Sequence, residues 1–181
     1  MTGRARAGGD EIATARLLLR RARTEDLDDL HAVFSHPDAM RYWGTPPHGA
    51  RAQTADLLAA TRRAVPPDGD DFVIEHGGRA IGKAGCWRVG EVGFILHPDA
   101  WGRGFAREAL TAAIPHAFAA LPMDRMTADV DPRNEASLGL LARLGFRRAG
   151  YAERTFCVAG EWSDSVYLEL PRPRAADGVM P

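Results

Sequence analysis

The sequence predicts a mixed α/β fold in one domain, with a central sheet flanked by about four helices. The chain has 181 residues, of which 45% are hydrophobic, and this length suits one core better than two. Strand-like and helix-like patterns follow one another in the order β-α-α-β-β-β-α-β-α-β-β, without an internal repeat or a linker. We assign residues 14–170 to the domain, and we expect residues 1–13 and 171–181 to be flexible tails.

The first third of the chain supplies one strand and two helices. Ala15–Arg21 has a strand-like pattern, and Thr24 is a good N-cap for the helix that follows. The apolar face of that helix consists of Leu27, Leu30 and Phe34. Residues 40–48 contain a glycine and paired prolines, which predict a loop before a second helix over residues 52–65.

The middle of the chain is predicted to form a hairpin, a third strand and a long helix. Strands over residues 71–75 and 79–86 flank His76-Gly77-Gly78, a sequence typical of a tight turn. The next strand covers residues 91–97. It leads through a turn with two glycines into a helix over residues 104–120.

The last third starts with a strand over residues 126–130 and continues with a helix whose two ends are marked. Asn134 is a good N-cap, and Gly145 is the residue type at which helices commonly end. Two further strands, over residues 146–154 and 165–170, complete the predicted sheet.

Charge and residue types exclude several classes of function. The formal net charge of −1 gives no electrostatic reason to expect nucleic acid as a partner. The two cysteines, Cys86 and Cys157, form no CxxC pair, and the six histidines lack metal-ligand spacing. No stretch approaches the roughly 20 apolar residues of a membrane span, and the N-terminus has no apolar signal-peptide core. We therefore expect a cytoplasmic protein with neither a metal site nor a membrane partner.

The most informative segment runs from Glu91 to Glu108, where an apolar strand meets a glycine-paired turn that opens directly into a helix. Gly102 and Gly104 lack side chains, so the backbone can approach a ligand closely. The first amides of the helix have no acceptor within the helix and lie at the positive end of its dipole. This arrangement favours a bound pyrophosphate.

Together with a second motif, this turn resembles the GNAT superfamily of acyl-CoA-dependent N-acetyltransferases, and most closely its RimJ/RimL-like branch. The second motif is the Asn-x-x-Ser start of the later helix, at Asn134 and Ser137, with the Leu-Gly-Phe end at 144–146. The family's turn, Gln/Arg-x-x-Gly-x-Gly/Ala, falls on residues 101–106. Trp101 departs from the usual first residue, although an aromatic residue there is familiar in the RimJ/RimL-like branch.

The resemblance implies a fold, a reaction and a cofactor. The fold is a mixed, mostly antiparallel sheet that splays beside a bulged cofactor strand, which here is the strand over residues 91–97. The reaction is transfer of an acetyl group from acetyl-CoA to a primary amine, by direct attack in a ternary complex. The amine belongs to a protein N-terminus or a small molecule, and the protein is a monomer or a homodimer.

The resemblance also implies which residues hold the cofactor. The backbone amides of the turn hold the pyrophosphate, two arginines add charge nearby, and the splayed strand runs along the pantetheine arm. Asn134 caps its helix and contacts the pantetheine, and an amide near Leu96 stabilises the oxyanion. The cofactor residues are Phe94, Ile95, Leu96, Gly102, Arg103, Gly104, Phe105, Ala106, Arg107 and Asn134.

Asp129 is the leading candidate for the general base, because the family often has a carboxylate at this place on the strand beside the splayed one. It could take a proton from the amine through a water. Glu75 on the hairpin and His97 at the end of the cofactor strand are the alternatives. For the acceptor, the loop before the second helix is implied to lie on the amine side, with Tyr42 and Trp43 forming a partly apolar pocket.

The proton source for the leaving thiolate is a gap in the resemblance. Many members carry a tyrosine seven residues after the motif asparagine, but this position is Leu141, which cannot donate a proton. Ser137 is the nearest hydroxyl in the sequence, and Tyr151 and Tyr167 are further candidates.

Two other functions fit part of the pattern. A dinucleotide-binding domain also begins with a strand, a Gly-x-Gly turn and a helix. Here its third glycine falls on Arg107, its acidic residues come late, and two helices and a hairpin precede the motif, so we reject it. A non-catalytic acyl-CoA-binding or sensor module of the same fold stays open, because Leu141 replaces the family's tyrosine.

Overall fold

The structure is a computed structural model that describes residues 11–173. Residues 1–10 and 174–181, which were predicted to belong to the tails, lie outside the described residues. Three residues of the predicted N-terminal tail instead form strand β1, Glu11–Ala13, which pairs with the next strand. The predicted boundary was wrong there because three residues are too few to show a strand pattern.

Eight strands and five helices are present in the described part of the chain. The strands are β1, β2 Leu18–Arg20, β3 Asp70–His76, β4 Arg79–Arg88, β5 Glu91–Leu96, β6 Arg125–Val130, β7 Arg147–Val158 and β8 Glu161–Pro171. The helices are α1 Leu27–Phe34, α2 Pro37–Met40, α3 Arg51–Arg63, α4 Phe105–Ala120 and α5 Glu135–Arg143. Single 3-10 turns cover Thr24–Asp26 and Pro98–Ala100.

One mixed sheet has the strand order β1-β2-β3-β4-β5-β6-β8-β7. Every neighbouring pair is antiparallel except β5 and β6, which are parallel. β5 and β6 share a single residue pair, Glu91 with Thr127, beside a bond from the Thr127 N–H to the Gly90 carbonyl of 2.6 Å. Beyond that pair the two strands separate, and we call the space between them the gap. The predicted mixed, mostly antiparallel, splayed sheet is therefore confirmed.

Three details of the predicted elements were wrong. The strand predicted over residues 15–21 is limited to Leu18–Arg20, because the Thr14 N–H donates to the Leu17 carbonyl at 2.9 Å and turns the chain between β1 and β2. The single helical turn α2 was missed, since four residues show no periodicity. β7 and β8 are longer than predicted and are joined by a tight turn at Ala159. This turn was missed because alanine rarely adopts the positive φ of 51° that Ala159 has here.

The bulge that was expected in the cofactor strand lies in its neighbour. β5 is regular, and the extra residue is Trp87 on β4, between the pairs Cys86 with Val92 and Arg88 with Glu91. A bulge on either strand bends and twists the pair. This one lies just before the point where β5 leaves β6.

Helices cover both faces of the sheet. On one face, α4 and α5 pack on Phe72, Ala84 and Ala128 through a large apolar cluster. On the other face, α1 and α3 pack on Val73 and Ile95. Since neighbouring residues of a strand point to opposite faces, each central strand contributes to both layers. None of the described helices combines the length and hydropathy that a bilayer span requires.

Candidate active site

The turn between β5 and α4 has the backbone that a bound anion requires. Gly102 and Gly104 adopt φ values of +70° and +76°. The first bond within α4 runs from the Glu108 N–H to the Gly104 carbonyl at 3.0 Å, so the N–H groups of residues 105–107 have no acceptor within the helix. A Cβ added to Gly102 would meet no atom within 4 Å. The space above the turn is therefore open to a ligand.

Arg16, in the β1–β2 turn, braces this turn from below. Its Nη1 donates to the Arg103 carbonyl at 2.9 Å, and its Nη2 lies 2.6 Å from Oε2 of Glu108 in α4. Although burial opposes the shift, hydrogen bonds from Thr14 and Arg16 hold the pKa of Glu108 below its usual value. The loop that faces the ligand is thus fixed by contacts on the opposite side.

The two arginines predicted to add charge near the turn differ in their surroundings. The Arg103 guanidinium stacks 4.5 Å from the centre of the Phe105 ring, and its Nη2 lies 3.4 Å from Nε2 of His76. Arg107 is exposed on the first turn of α4. Arg103 is therefore held against Phe105 and His76, whereas Arg107 is exposed to solvent.

β5 directs unpaired backbone groups into the gap. The His97 N–H donates to the Ile81 carbonyl at 2.9 Å, so the odd-numbered residues bond to β4. Phe94 and Leu96 consequently point their N–H groups toward the gap. The Leu96 carbonyl is already engaged, because the Trp101 indole N–H donates to it at 2.9 Å. Trp101, which departs from the family pattern, thus ties the turn to the end of β5.

The start of α5 is capped as predicted. Asn134 Oδ1 accepts from the Ser137 N–H at 3.1 Å, and the side-chain nitrogen of Asn134 has no protein partner among the described residues. Ser137 is half-buried in the first turn. Leu141, at the family's tyrosine position, is fully buried in the core, so this helix face packs inward instead of lining a channel.

A large cavity of about 770 Å³ lies on the α3 side of the sheet. Tyr42 and Trp43 form part of one wall, and the edge of Trp43 also packs on Phe34, with 5.7 Å between the ring centres. Asp129 reaches the cavity from β6, next to the gap. Other lining residues are Leu57, Asp71, Lys83, Trp87, Glu91, Gly93, Asp131, Arg133, Phe156, Glu161 and Ser163.

Asp129 has the properties of a proton acceptor. It is half-buried, and its Oδ1 atom is buried without a hydrogen-bond partner in the described structure. Burial raises the pKa of Asp129, the Glu91 carboxylate raises it further, and a hydrogen bond from Ser165 opposes the rise. A carboxylate with a raised pKa and a free oxygen is a better base than an exposed one.

The two alternative bases lie outside the large cavity and are engaged elsewhere. Glu75 accepts from Nε of Arg20 at 2.5 Å. Nδ1 of His97 accepts from the Asp99 N–H at 3.3 Å and caps the 3-10 turn that follows β5. Neither lines the wall that contains Asp129.

The two tyrosines differ in availability. The Tyr151 hydroxyl donates to Asp164, a bond that raises the pKa of the phenol and holds it away from the cavity. Tyr167 lies directly opposite Asp129 in the β6–β8 ladder, where paired side chains share a face. Of the two, only Tyr167 neighbours Asp129.

Sequence reasoning missed a buried ion pair in the cavity. Lys83 on β4 contacts Asp71 on β3, and the two residues are 4% and 1% exposed. A lysine between glycine and alanine residues in a strand is unusual, and this is the pattern that could have revealed it. Nothing in the linear sequence marks Asp71 as its partner.

The cavity rim was also missed. Arg133 donates to Asp131 at 2.7 Å and to Glu161 at 2.6 Å, which links the end of β6 to the β7–β8 turn. Trp87, the bulge residue, packs over Gly93, where an added Cβ would lie 3.4 Å from the indole. The charged run that follows β6 could have indicated Asp131 and Arg133 from the sequence, whereas the role of Trp87 depends on the bulge.

The chain is also similar in sequence to known acetyltransferases. The family model described as "Acetyltransferase (GNAT) domain" matches residues 16–147. The N-acetyltransferase p20 of Bacillus licheniformis is 29% identical over 150 residues, which is 78% of this chain and 84% of that protein. The spermidine N(1)-acetyltransferase of Escherichia coli K12 is 25% identical over 156 residues, 83% of each chain. The alanine N-acetyltransferase of ribosomal protein uS5 from the same strain is 36% identical over 89 residues, only 49% of this chain and 46% of that one.

Solved structures share the fold. A GNAT-family acetyltransferase from Bacillus anthracis superposes with a TM-score of 0.76 at 23% identity, covering 89% of this chain and 98% of that one. Spermidine N-acetyltransferase from Vibrio cholerae, solved with CoA and spermine, gives a TM-score of 0.74 at 22% identity, covering 87% and 96%. At these identities the likeness extends to the fold alone.

Proposed function

The chain belongs to the GNAT acetyltransferase family, and from this premise we propose that it moves the acetyl group of acetyl-CoA to a primary amine held in the large cavity beside Asp129. The observation that carries the proposal is a convergence: the gap, the cavity and a buried carboxylate oxygen without a partner meet at one place. The proposed attack is direct, with both substrates bound together.

The residues around the turn suit acetyl-CoA. Open space lies above Gly102, amides without helical acceptors begin α4, and unpaired groups of Phe94 and Leu96 face the gap. We assign the pyrophosphate to the turn amides and the pantetheine arm to the gap, with the free side-chain nitrogen of Asn134 as a further contact. Acetyl-CoA supplies a thioester whose carbonyl carbon is the atom that an amine attacks.

Asp129 would accept the proton of the amine, directly or through one water, because a protonated amine cannot attack. The Leu96 N–H would donate to the thioester oxygen as negative charge develops on it. That amide is held by the β4–β5 ladder, so it needs no rearrangement. Both roles follow from positions along the gap.

For cofactor binding, we expect Gly104→Val to weaken coenzyme A binding by at least about tenfold without unfolding the protein. A left-handed φ of +76° costs a residue with a side chain roughly 1–2 kcal/mol, and the new Cβ would lie 3.6 Å from Nη2 of Arg16. The backbone strain at residue 104 would then shift the turn amides from the positions that hold the pyrophosphate. Isothermal titration calorimetry with coenzyme A measures the change.

Gly160→Val is the matched control for Gly104→Val. Gly160 has φ of +86° in the β7–β8 turn, and nothing lies within 4 Å of an added Cβ, so the backbone strain is similar and the cofactor turn is untouched. Coenzyme A affinity should be retained in this control. Wild-type affinity in Gly104→Val would remove the turn from the cofactor site.

For the leaving thiolate, we expect Ser137→Ala to lower the maximal rate by about 10–100-fold with little change in coenzyme A affinity. The effect is modest for a general acid because a thiolate is already a fair leaving group. Steady-state kinetics with saturating substrates measures it. Full activity in Ser137→Ala would move the role to Tyr167, since the Tyr151 hydroxyl is bound to Asp164.

The acceptor is proposed at the level of a primary amine on a partly apolar molecule. Aromatic side chains (Tyr42, Trp43, Trp87 and Phe156) line the cavity together with carboxylates, which suits an amine attached to a carbon skeleton. Relatives are described as acting on spermidine and on the alanine of ribosomal protein uS5. We place the chain in the RimJ/RimL-like branch on its turn sequence and on that second, partial match.

One experiment separates this function from a sensor module of the same fold. Purified protein is mixed with acetyl-CoA and a panel of polyamines, amino acids, amine antibiotics and N-terminal peptides, and release of free thiol is recorded. Turnover with any amine supports the enzyme. Tight coenzyme A binding without turnover across the panel would favour the sensor.

A further inference from the structure

We propose that Thr54 is a positioning residue for the amine acceptor. Its hydroxyl lies on α3 and joins a histidine of α1, His31, to a histidine of the loop between α2 and α3, His48. We call residues 41–50 the acceptor loop, because most of them line the large cavity. The anchor made by Thr54 and the two histidines holds this wall in the shape that receives the amine. The inference rests on the proposed function, in which the cavity binds the acceptor.

The acceptor loop has little regular structure of its own. Residues 41–47 line the cavity, and the backbone of residues 44–47 makes no hydrogen bond within the described part of the chain. Two of those four residues are prolines, which have no N–H to donate. Trp43 and His48 are half-buried, and the rest of the loop is exposed. The shape of this wall therefore depends on the two points at which the loop is attached, Trp43 and His48.

Both attachment points pack on Phe34, the last residue of α1. Phe34 is fully buried. The edge of the Trp43 ring meets the Phe34 ring, and the His48 imidazole stacks on the Phe34 ring, with 5.4 Å between the centres and 19° between the planes. The His48 N–H also donates to the Phe34 carbonyl at 2.8 Å. One ring of α1 thus supports both ends of the segment that has no backbone bonds.

The Thr54 hydroxyl holds the edge of the His48 ring. Thr54 lies in the first turn of α3 and is fully buried. Its Oγ1 lies 2.8 Å from Nδ1 of His31 and 2.9 Å from Nδ1 of His48. This hydroxyl has no other hydrogen-bond partner within residues 11–173. Two helices and the acceptor loop therefore meet at one oxygen atom.

The anchor needs both hydrogen-bonding roles of a hydroxyl. A hydroxyl has one proton to donate and can accept two hydrogen bonds, whereas each nitrogen of a neutral imidazole either donates or accepts. The Thr54 proton therefore goes to one Nδ1, and the other Nδ1 must carry a proton and donate to Oγ1. Burial and the neighbouring His31 lower the pKa of His48, so its ring is neutral at neutral pH. An apolar side chain at residue 54 cannot make either bond.

Thr54→Val should raise the KM for the amine by about tenfold, while kcat and the affinity for coenzyme A stay close to wild type. Valine has nearly the shape of threonine, but both Nδ1 atoms lose their partner. The loop then leaves its wall position for part of the time, and the apparent affinity for the amine falls with the fraction of molecules that have the wall in place. Saturating amine restores the wall, so kcat is retained.

Hydrogen exchange of the residue 48 amide, followed by NMR, tests the anchor without any substrate, because the His48 N–H is bonded to the Phe34 carbonyl. This amide should exchange about tenfold faster in Thr54→Val. In Thr54→Ser, which keeps the hydroxyl, it should exchange at the wild-type rate. Initial rates are then measured with acetyl-CoA and with polyamines, amino acids, amine antibiotics and N-terminal peptides in turn.

Ser35→Ala is the matched control. The Ser35 hydroxyl also lies at the end of α1, but it donates to the His31 carbonyl at 2.6 Å and makes no hydrogen bond to the acceptor loop. Its removal should change neither the exchange of the residue 48 amide nor the KM for the amine. If Thr54→Val does not fold, His48→Phe makes the same test, because phenylalanine can still stack on Phe34 but has no ring nitrogen for Thr54.

Faster exchange together with a raised KM, both restored by Thr54→Ser, supports the proposal. Unchanged exchange of the residue 48 amide in folded Thr54→Val overturns it, and so does faster exchange with a wild-type KM for every amine that is acetylated. The proposed function fails separately. Faster exchange in a protein that acetylates none of these amines would contradict acetyl transfer and the role in acceptor binding, and would leave Thr54 as an anchor of the loop alone.

Discussion

Asp129→Asn is expected to lower the rate of acetyl transfer at neutral pH by about 10²–10⁴-fold, the range usual for loss of a general base. The substituted amide keeps the shape of the side chain, but it cannot take a proton. The loss should be largest at low pH and should shrink as the pH rises, because the fraction of free amine then increases. Rates of thiol release across the pH range measure it.

The same substitution should leave the protein as stable as before or slightly more stable. Burial raises the pKa of Asp129 above its unfolded value, so the ionised side chain is less favourable in the folded state than in the unfolded one. That cost is present at neutral pH and disappears as the pH falls below the unfolded pKa of about 3.9. A neutral asparagine removes the cost at every pH.

Activity and stability should thus move in opposite directions, and this separates a lost base from a damaged fold. Glu161→Gln is the control, since Glu161 is an exposed carboxylate on the rim of the same cavity, paired with Arg133. It should change the rate much less. A near-normal rate and pH profile in Asp129→Asn would exclude Asp129 from the mechanism.

The second large effect concerns the ion pair between Lys83 and Asp71. We expect Lys83→Met to lower the free energy of unfolding by about 3–5 kcal/mol, because it leaves the Asp71 carboxylate buried without its counter-charge. Within residues 11–173, the Asp71 carboxylate would then keep only the bond from the Phe72 N–H to its Oδ1, at 3.1 Å. Urea denaturation followed by circular dichroism measures the change.

The double variant Lys83→Met with Asp71→Val tests the cause. When both partners become apolar, no charge is left unpaired, and most of the loss should be recovered. A double-mutant cycle then gives the coupling between the two side chains. A loss below about 1 kcal/mol in Lys83→Met would mean that water or a neighbour already compensates Asp71.

The sequence predicted those parts of the site that depend on local chemistry. Gly102 and Gly104 indicate a turn with positive φ, and Asn134 indicates a helix start, because each residue type suits one backbone geometry. The structure has both features at the predicted residues. Asp129 was selected through the family resemblance, and its place beside the gap and its unpaired oxygen add to that choice.

Features that depend on the pairing of distant strands could not be predicted. Lys83 and Asp71 meet only because β3 and β4 pair in one register, and a shift by one residue would turn them to opposite faces. Trp87 reaches the cavity through a bulge. A linear pattern of apolar residues does not record where a strand gains an extra residue.

The sheet has two parts, with five strands on one side of the β5–β6 boundary and three strands on the other. The single pair between Glu91 and Thr127 joins them. The two parts are therefore attached to each other at one end of the boundary and are separate along the rest of it. A ligand that hydrogen-bonds to Phe94 and Leu96 along the open part of this boundary would link the two parts further, as an added strand does in other sheets. The free energy of ligand binding would then stabilise the two parts of the sheet against separation. The domain should therefore resist unfolding more strongly when its cofactor is abundant.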